Sequence, residues 1–476
     1  MTKLFLCILA LAPVSALADA TLPAIFGDNM VLQGPKAVVW GSAAPNETVT
    51  VKIGARSAKA AAGKEGKWTV TLQRLKTGGP YEMTVNSLTL HNVAVGEVWL
   101  CAGASNMAMP VNGAVDAEKE IAAAKFPMIR LFKEGKWGVC DPATVVDFSA
   151  TAYFFGRDIH QRTKAPVGLI ECAASSTPIE AWLSATALMA HFQPLLDKWK
   201  TEMDAYPQAK EVYGQLYATW KQQVEQAKAA SQPAPPPPRR PKAPDDPAAP
   251  ALAYDKLIAP LIPFTLKGVL WYQGEANVGD PKQYGALFTA LIQSWRGAWG
   301  EGDFPFVFAQ LANFLPRSEE PSESLWAELR EAQAAALKLP ETRMAVAIDI
   351  GDEHSLLPKN KQEIGRRLAL AAADTQGPRF AGMKIVNGKA RLSFVGTGGG
   401  LVAKGALKGF AIAGGDRRFV VADAKIEKGK VIVWSDKVPN PAAVRYAWAN
   451  TPECALYNKE NLPAAPFRTD NWAQAE

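Results

Sequence analysis

The spacing of apolar and polar positions divides the chain near residue 95. Between residues 21 and 95, short alternating runs such as KAVVWG, TVTVKIG and KWTVTLQ are separated by glycine, proline and asparagine turns. Alternation places successive side chains on opposite faces of a strand, and short strands at close spacing are typical of an antiparallel β-sandwich. We therefore predict an N-terminal β-sandwich domain over residues 19–95.

Beyond that point the apolar pattern becomes continuous. Apolar runs alternate with stretches of helical spacing, and these runs are Val93–Cys101, Pro166–Cys172, Leu266–Tyr272, Phe306–Leu311 and Met344–Ile350. Strands that are apolar on both faces and separated by helices are typical of a parallel sheet covered by helices. We predict such an α/β domain over residues 96–380. Alternation then returns in ARLSFVG, FVVADAKIEKGKVIVWS and AVRYAW, which predicts a C-terminal β-rich domain over residues 381–476.

A segment of different composition, residues 196–250, interrupts the α/β region. Residues 196–231 combine spaced apolar positions with many good helix formers, so we predict helices there. The segment Pro233–Pro250, PAPPPPRRPKAPDDPAAP, cannot form a helix or a sheet ladder because proline lacks the backbone N–H. We predict an extended surface spacer; a ligand for a proline-recognising domain is the alternative.

The first twenty residues, MTKLFLCILALAPVSALADA, have the composition of an export signal. Lys3 precedes an apolar stretch from Leu4 to Ala12, and the small-residue pattern Ala16-Leu17-Ala18 follows. We predict a signal peptide over residues 1–18 and an exported protein, periplasmic or extracellular. The later apolar runs are shorter than the roughly 20 residues that a membrane span needs, so we predict no membrane insertion.

Charge and cysteine content argue against two kinds of binding site, one for nucleic acid and one for a metal ion. The net charge of +6 is spread thinly along the chain, so we predict no nucleic-acid partner. Cys101, Cys140, Cys172 and Cys454 follow the predicted signal peptide without any Cys-X-X-Cys spacing, which argues against a metal site. One disulfide and buried free thiols are both compatible with this pattern.

Two stretches carry candidate chemistry. In EVWLCAGASNMAMP, Ser105 lies between a predicted strand and a predicted helix, where a turn exposes a side chain at the carboxyl edge of a parallel sheet. In KGVLWYQGEANVGD, a second strand and turn bring Gln273, Glu275 and Asn277 to the same edge. An asparagine amide beside a serine nucleophile can stabilise an oxyanion by about 3 kcal/mol. Both stretches are also compatible with simple turns of small residues, asparagine and glycine.

Several ordered stretches resemble the sialate O-acetylesterase family, a branch of the SGNH (GDSL-like) hydrolase superfamily. They extend from about residue 21 to the end and read LPAIFGDNMVLQ, GEVWLCAGASNMAMP, PVGLIECAASSTPIEAWLS, KGVLWYQGEANV, PKNKQEIGRRLALAA and LPAAPFRTDNW. The resemblance implies an SGNH-type three-layer αβα core with a parallel sheet, flanked by N- and C-terminal β-sandwich-like domains. It also implies hydrolysis of acetyl esters on a sugar or glycan by a serine nucleophile, with no cofactor and no metal.

The resemblance assigns roles to individual residues. The family block GQSNM places the nucleophile at Ser105, and the block YQGESN places the oxyanion asparagine at Asn277, with Gln273 and Glu275 lining the site. The family's GGTPIEAW stretch, whose glycines supply a backbone oxyanion donor, aligns with Ser175-Ser176 here. Ala104 and Ala276 also depart from the family pattern, since they replace its glutamine and serine.

The largest departure concerns the catalytic histidine. Family members read Asp-Ile-His-Pro-Lys-Asn-Lys, and alignment on the proline places Leu357 at the histidine position and Ser355 at the aspartate position. His354 stands three residues earlier. Since an extended chain advances about 3.3 Å per residue, this shift can displace an imidazole by about 10 Å, whereas a general base must come within about 3 Å of the serine hydroxyl.

Three hypotheses follow from this loop. His354, oriented by Asp352, acts as the base if the loop runs differently here. Alternatively, the chain is a catalytically degenerate esterase that keeps the fold. In the third hypothesis this degenerate protein binds carbohydrate, with sugars contacting Trp182, Trp271, Gln273 and Glu275, because sugars stack on aromatic rings and pair with amides and carboxylates.

Overall fold

The protein is described by a computed structural model covering residues 20–472. The predicted signal peptide, residues 1–18, lies outside these residues. The N-terminal region consists of short strands whose exposed and buried positions alternate, as the sequence pattern predicts. The strands are β1 (Val31–Gln33), β2 (Ala37–Ser42), β3 (Thr48–Ile53), β4 (Arg56–Ala61), β5 (Lys67–Leu72) and β6 (Gly78–Val85).

The central region contains a mostly parallel sheet. Its strands are β7 (Leu88–Gly103), β8 (Phe126–Lys133), β9 (Lys136–Cys140), β10 (Val167–Ala173), β11 (Gly268–Tyr272), β12 (Phe306–Ala309) and β13 (Thr342–Ala345). They lie in the order β13-β12-β11-β7-β10-β8-β9, and β9 is antiparallel to β8. Each crossover between parallel neighbours requires a long connection, and helices supply it.

The helices of this region cover both faces of the sheet. They are α1 (Ser105–Ala108), α2 (Ala117–Ala123), α3 (Pro142–Val145), α4 (Ala150–Thr163), α5 (Ala185–His191), α6 (Gln193–Asp204), α7 (Tyr206–Ala229), α8 (Pro281–Trp299), α9 (Leu325–Ala334) and α10 (Lys361–Ala372). Short 3-10 helices occupy Val111–Gly113, Ile179–Trp182, Ala259–Leu261, Glu275–Asn277 and Ala335–Lys338, and a π-helix occupies Tyr254–Ile258.

Alternate residues of the central strands enter two separate apolar cores. On β7, Leu100 belongs to the core under α8 and α9, whereas Trp99 and Cys101 belong to the core under α4 and α10. A sheet with a helical layer and an apolar core on each face is the three-layer αβα arrangement. The predicted fold class is therefore confirmed, together with the flanking antiparallel sheets.

Strand β7 is shared by the N-terminal and central regions. Its first half pairs antiparallel with β6 and parallel with β1, and its second half pairs parallel with β10 and β11. One continuous strand therefore crosses residue 95, where the sequence pattern changes, and ends at Gly103, two residues before Ser105.

The C-terminal region is a set of antiparallel sheets. Its strands are β14 (Arg379–Val386), β15 (Lys389–Val395), β16 (Leu401–Ala403), β17 (Phe410–Ala413), β18 (Val420–Val421), β19 (Asp423–Glu427), β20 (Lys430–Trp434), β21 (Ala443–Tyr446), β22 (Leu456–Asn458) and β23 (Phe467–Arg468). They form the sheets β14-β15-β20-β19, β18-β17-β21-β23 and β16-β22. Arg330 of α9 is fully buried and donates to the backbone carbonyls of Ala449 and Asn450, which ties this region to the central one.

The inserted segment folds as helices followed by an extended chain. Neither α6 nor α7 buries any residue completely. Residues 233–243 have no regular helix or strand, and the Trp220 indole N–H donates to the carbonyl of Pro235 at 2.8 Å. The proline-rich chain therefore lies against the aromatic side of α7. Across residues 20–472, no helix combines the length and apolar character that a membrane span requires.

Candidate active site

The carboxyl ends of β7, β10 and β11 meet at one edge of the central sheet. Gly103 is paired with Ala173 on one side and with Tyr272 on the other. Gly103 has φ 145°, and a Cβ at this position would lie 2.2 Å from the Tyr272 carbonyl oxygen. Glycine is required because the two backbones approach too closely for any side chain. Three turns are thereby brought together, and we call this region the nucleophile edge.

Ser105 lies at the centre of the nucleophile edge. It is the first residue of α1, and the preceding Ala104 donates its N–H to the Tyr272 carbonyl at 3.0 Å. The Ser105 Oγ accepts the backbone N–H of Ser176 at 3.1 Å. A serine hydroxyl beside a backbone donor at the rim of a parallel sheet supplies the nucleophile and one oxyanion donor of an acyl-transfer site.

Ser176 adopts a backbone conformation that L-amino acids avoid. Its φ is 61°, in the left-handed region, which costs a residue with a Cβ about 1–2 kcal/mol. The family that this sequence resembles has glycines where this chain has Ser175-Ser176, and glycine adopts a left-handed conformation without strain. Ser176 nevertheless presents its N–H to Ser105, so replacement of glycine has not removed the backbone donor.

Asn277 and Gln273 form a hydrogen-bonded pair beside Thr177, whose carbonyl accepts from Gln273 Nε2 at 3.2 Å. The Asn277 Oδ1 accepts from the Gln273 Nε2 at 2.8 Å and from the Ile179 N–H at 2.9 Å, and its Nδ2 donates to Glu180 Oε2 at 3.0 Å. Gln273 is fully buried, and its Oε1 accepts from the Tyr284 hydroxyl. Since an amide nitrogen carries two hydrogens, the contact with Glu180 uses one of them.

Glu275 contacts the residue that follows the nucleophile. Its Oε1 accepts from Asn106 Nδ2 at 2.6 Å, and the Asn106 Oδ1 accepts from Lys361 Nζ at 2.5 Å. Burial raises the pKa of Glu275, although the hydrogen bond from Asn106 and the nearby Lys361 charge oppose that rise. Burial also lowers the pKa of Lys361 to about 7, against the opposing effect of Glu275.

The loop that carries His354, residues 351–358, approaches the nucleophile edge at one point. The Leu356 carbonyl accepts from Asn106 Nδ2 at 3.0 Å. The His354 side chain is 81% exposed, and its Nε2 lies 3.4 Å from Glu353. Asp352 Oδ1 accepts a hydrogen bond from the backbone N–H of His354 at 2.8 Å, so its described contact with His354 is to the backbone and not to the imidazole ring. The structure therefore does not bring the His354 ring or Asp352 to Ser105, and Leu357 is half-buried in the same loop.

The two tryptophans predicted to contact sugar lie inside the protein. Trp182 and Trp271 are fully buried, and their rings meet edge to face with centroids 5.5 Å apart. The Trp182 indole N–H donates to Thr177 Oγ1 at 2.9 Å. Neither ring offers an exposed face in this structure, because both support the layer beneath the edge. Glu275 is half-buried and remains accessible in part.

Sequence reasoning did not single out Asn106, Glu180 or Lys361. Each lies inside a stretch that carries the family resemblance. The sequence therefore shows where the residue stands but not which side chain it is hydrogen-bonded to. The contact between Asn106 and Lys361 joins residues 255 positions apart. A contact between residues so far apart in the sequence can be identified only when the fold is known.

Cysteines and acidic residues do not assemble into a metal site in the part of the chain that the structure describes. No group of three or more histidine, cysteine, aspartate or glutamate side chains is placed to hold an ion within residues 20–472. The four cysteines among these residues are free thiols, and Cys101, Cys140 and Cys172 are buried. Burial raises the pKa of Cys140 to about 12, so this thiol is unreactive at neutral pH.

Sequence comparison relates the chain to known esterases. The family model for the carbohydrate esterase, sialic acid-specific acetylesterase, matches residues 95–231 and 252–374. The unmatched interval coincides with the proline-rich segment. Sialate O-acetylesterase of Rattus norvegicus is 30% identical, with 92% of each chain covered, and the Mus musculus protein is 29% identical with the same coverage.

Structural comparison agrees with the sequence comparison. The crystal structure of a carbohydrate acetylesterase from Xanthomonas citri superposes with a TM-score of 0.79 at 34% identity, covering 95% of this chain and 100% of that one. Identity at this level over nearly the whole length relates the flanking β-regions as well as the core. The chain therefore belongs to the sialic acid-specific acetylesterase family of carbohydrate esterases.

Proposed function

We propose that this protein hydrolyses acetyl esters on an O-acetylated sugar or glycan, with Ser105 as the nucleophile. The observation that carries the proposal is the position of Ser105 Oγ at the nucleophile edge, 3.1 Å from the N–H of Ser176. Membership of the family supports the substrate class. The names of the relatives refer to sialate and carbohydrate acetyl esters, and we extend that chemistry to this chain.

The chemistry proceeds by acyl transfer. Ser105 Oγ attacks the acetyl carbonyl carbon, its proton passes to a base, and the carbonyl oxygen becomes an oxyanion. The Ser176 N–H and the second hydrogen of Asn277 Nδ2 are the proposed oxyanion donors, and such donors contribute about 3 kcal/mol each. The C–O bond to the sugar then breaks, the sugar oxygen takes the proton, and an acetyl-serine remains. Water attacks this ester and releases acetate and the free serine.

We propose His354 as the base, with Asp352 as its orienting carboxylate. Because the His354 ring is 81% exposed, this role requires the exposed middle of the 351–358 loop to fold inward. A general base must come within about 3 Å of the serine hydroxyl. The proposal therefore includes a loop movement when substrate binds.

A second candidate function is carbohydrate binding without hydrolysis. The solvent-facing ring of His354 and the leucine at position 357 favour it, because a serine without an adjacent imidazole is a weak nucleophile. Under this alternative, the half-buried Glu275 contributes to a polar site that holds an acetylated sugar, whereas Gln273 is fully buried and bonded to Asn277 and Tyr284, contrary to the predicted sugar contact. The two candidates share a binding site and differ only in turnover.

One experiment separates the two candidates. Purified protein and the Ser105→Ala variant are assayed for acetate release from an aryl acetate and from O-acetylated sialic acid, and thermal unfolding is followed with each ligand. Acetate release that the variant loses, by up to about a millionfold, supports the hydrolase. Thermal stabilisation by the acetylated sugar without acetate release supports the binding protein and contradicts the hydrolase.

We also propose export and a three-domain organisation. Lys3, the apolar stretch that follows it and Ala16-Leu17-Ala18 support cleavage of a signal peptide after Ala18 or Ala20. A mature chain beginning at residue 19 or 21 in the periplasmic or secreted fraction is expected, and an intact Met1 in the cytosol would contradict export. Limited proteolysis at the exposed turn of residues 373–374, before β14, is expected to separate the C-terminal β-rich domain, whereas the continuous strand β7 protects residue 95.

A further inference from the structure

A buried lysine lies under the nucleophile edge. Lys361 begins α10 and is fully buried. An ammonium group withdrawn from water is costly unless it is paired and hydrogen-bonded. Lys361 Nζ donates to Asn106 Oδ1 at 2.5 Å and lies 5.3 Å from the centroid of the Tyr272 ring.

The position of α10 gives Lys361 little freedom. Gly365 allows α10 to pack closely on α4, since a Cβ there would lie 2.6 Å from the Phe154 Cβ. Asn360 caps the helix by accepting the Glu363 N–H, and Lys361 follows directly. The lysine stem is therefore aimed at the edge by the packing of two helices.

Asn106 connects this lysine to the proposed nucleophile. Its Oδ1 accepts from Lys361, and its Nδ2 donates to Glu275 at 2.6 Å and to the Leu356 carbonyl at 3.0 Å. Asn106 thereby uses its acceptor and both amide hydrogens, and it follows Ser105 directly. One side chain joins the nucleophile turn, the turn after β11, α10 and the 351–358 loop.

We infer that Lys361 is a positioning residue for the reaction: by holding Asn106 it fixes the Ser105 turn and the Leu356 end of the 351–358 loop in one arrangement. This inference rests on the proposed hydrolysis at Ser105. Lys361 acts through Asn106 and not on the substrate, because among the described contacts its Nζ reaches Asn106 and no atom of Ser105.

Three elements face Lys361, and only one of them supplies a charged group. The turn after β11 supplies Glu275 and β11 supplies the Tyr272 ring, whereas α1 supplies only the neutral Asn106. On α10 itself, Glu363 is occupied by Arg366 and Arg367. Glu275 is thus the group that stabilises the Lys361 charge. Loss of that charge weakens a charge-assisted hydrogen bond to Asn106.

The first test compares Lys361→Met with Lys359→Met. Lys359 is exposed two residues earlier, so Lys359→Met makes the same side-chain substitution outside the network. We expect Lys361→Met to lower kcat about 100-fold with KM within threefold, and Lys359→Met to leave both within twofold. Equal kinetics in the two variants, or a loss confined to KM, would overturn the inference.

A second test covers the case in which Lys361→Met does not fold. Glu275→Gln keeps the hydrogen bond to Asn106 but removes the carboxylate that favours a charged Lys361. The alkaline limb of kcat is expected to move to lower pH, because Lys361 then loses its proton more readily. An alkaline limb at an unchanged pH would contradict a role for the Lys361 charge.

Hydrogen exchange keeps the inference separate from the proposed function. In wild-type protein and in Lys361→Met or Glu275→Gln, amide exchange is measured over residues 104–108 and 351–358. We expect both segments to exchange at least tenfold faster in these variants than in wild-type protein. In Lys359→Met we expect both segments to exchange at the wild-type rate. If the wild-type protein releases no acetate, the proposed hydrolysis is refuted. The exchange rates still decide whether Lys361 holds the two segments, and unchanged rates in the Lys361→Met and Glu275→Gln variants would refute that role.

Discussion

The nucleophile edge and the 351–358 loop lie side by side, yet they are held in different ways. At the edge, the Ala104 N–H anchors the Ser105 turn to the Tyr272 carbonyl, Ser105 Oγ accepts the Ser176 N–H, and Asn277 is bonded to the fully buried Gln273. In the loop, the central residue His354 faces solvent and contacts only its neighbour Glu353 among the described ion pairs. The half of the site that belongs to the sheet is therefore held by contacts between neighbouring elements, whereas the side chain of the proposed base faces solvent.

The loop is fixed at its ends and exposed in its middle. Gly351 donates to Asn313 Oδ1 at 2.6 Å, and a Cβ at Gly351 would lie 2.1 Å from the Asn313 carbonyl oxygen. Pro358 is buried at the other end. Between them, the hydrogen bond from Asn106 to the Leu356 carbonyl is the contact that ties the loop to the edge. In the middle of the loop, the Leu315 N–H donates to the Glu353 carbonyl at 3.1 Å, so the proposed inward movement of His354 has to break this hydrogen bond.

The largest expected effect comes from His354→Ala. If the loop folds inward as proposed, removing the base lowers turnover of an aryl acetate by about a millionfold. His91→Ala is a matched control, because His91 is also exposed and lies 3.4 Å from a glutamate, but in the N-terminal region. Equal activity in the two variants would show that the loop histidine takes no part.

A second substitution moves the imidazole instead of removing it. Leu357→His places a histidine where the family pattern has one, next to the end of the loop that Asn106 holds. We expect an increase in kcat of about 100-fold, within the range that a positioned general base contributes. The double variant His354→Ala, Leu357→His should keep that gain. A gain lost in the double variant would mean that both imidazoles are needed, contrary to the expected replacement.

The buried Lys361 should also make the stability of the folded protein depend on pH. Burial lowers the pKa of Lys361 to about 7 in the folded protein, whereas an unfolded lysine titrates near 10.4. Between these values the unfolded chain binds more protons, so this group makes the free energy of unfolding rise with pH, by up to about 1.4 kcal/mol per unit. Urea unfolding from pH 7 to 10 should show a shallower rise in Lys361→Met. Parallel curves for the two proteins would contradict this titration.

Sequence reasoning predicted the half of the site on the sheet better than the half on the 351–358 loop. The alternating and continuous apolar runs predicted the β-region, the parallel sheet and the turn at Ser105, because strand periodicity is local. The buried positions of Trp182 and Trp271 were not predicted, since an aromatic residue in a strand or turn can face either side of a layer. The Lys361–Asn106 contact depends on the packing of α10 against α4, which no local pattern contains.

The smallest expected effect concerns Ser176, whose left-handed backbone carries strain on the sheet side of the site. With φ at 61°, Ser176→Gly relieves a steric cost of about 1–2 kcal/mol but adds freedom to the unfolded chain. We expect a net stabilisation of about 0.5–1 kcal/mol in urea unfolding, with kcat unchanged or slightly higher because the backbone N–H is kept. Ser175→Gly is the matched control: Ser175 is not among the described residues with positive φ, so it should destabilise instead. If both variants lose stability, the left-handed backbone at Ser176 carries no strain, and the difference between the two halves of the site would then lie in their contacts and exposure alone.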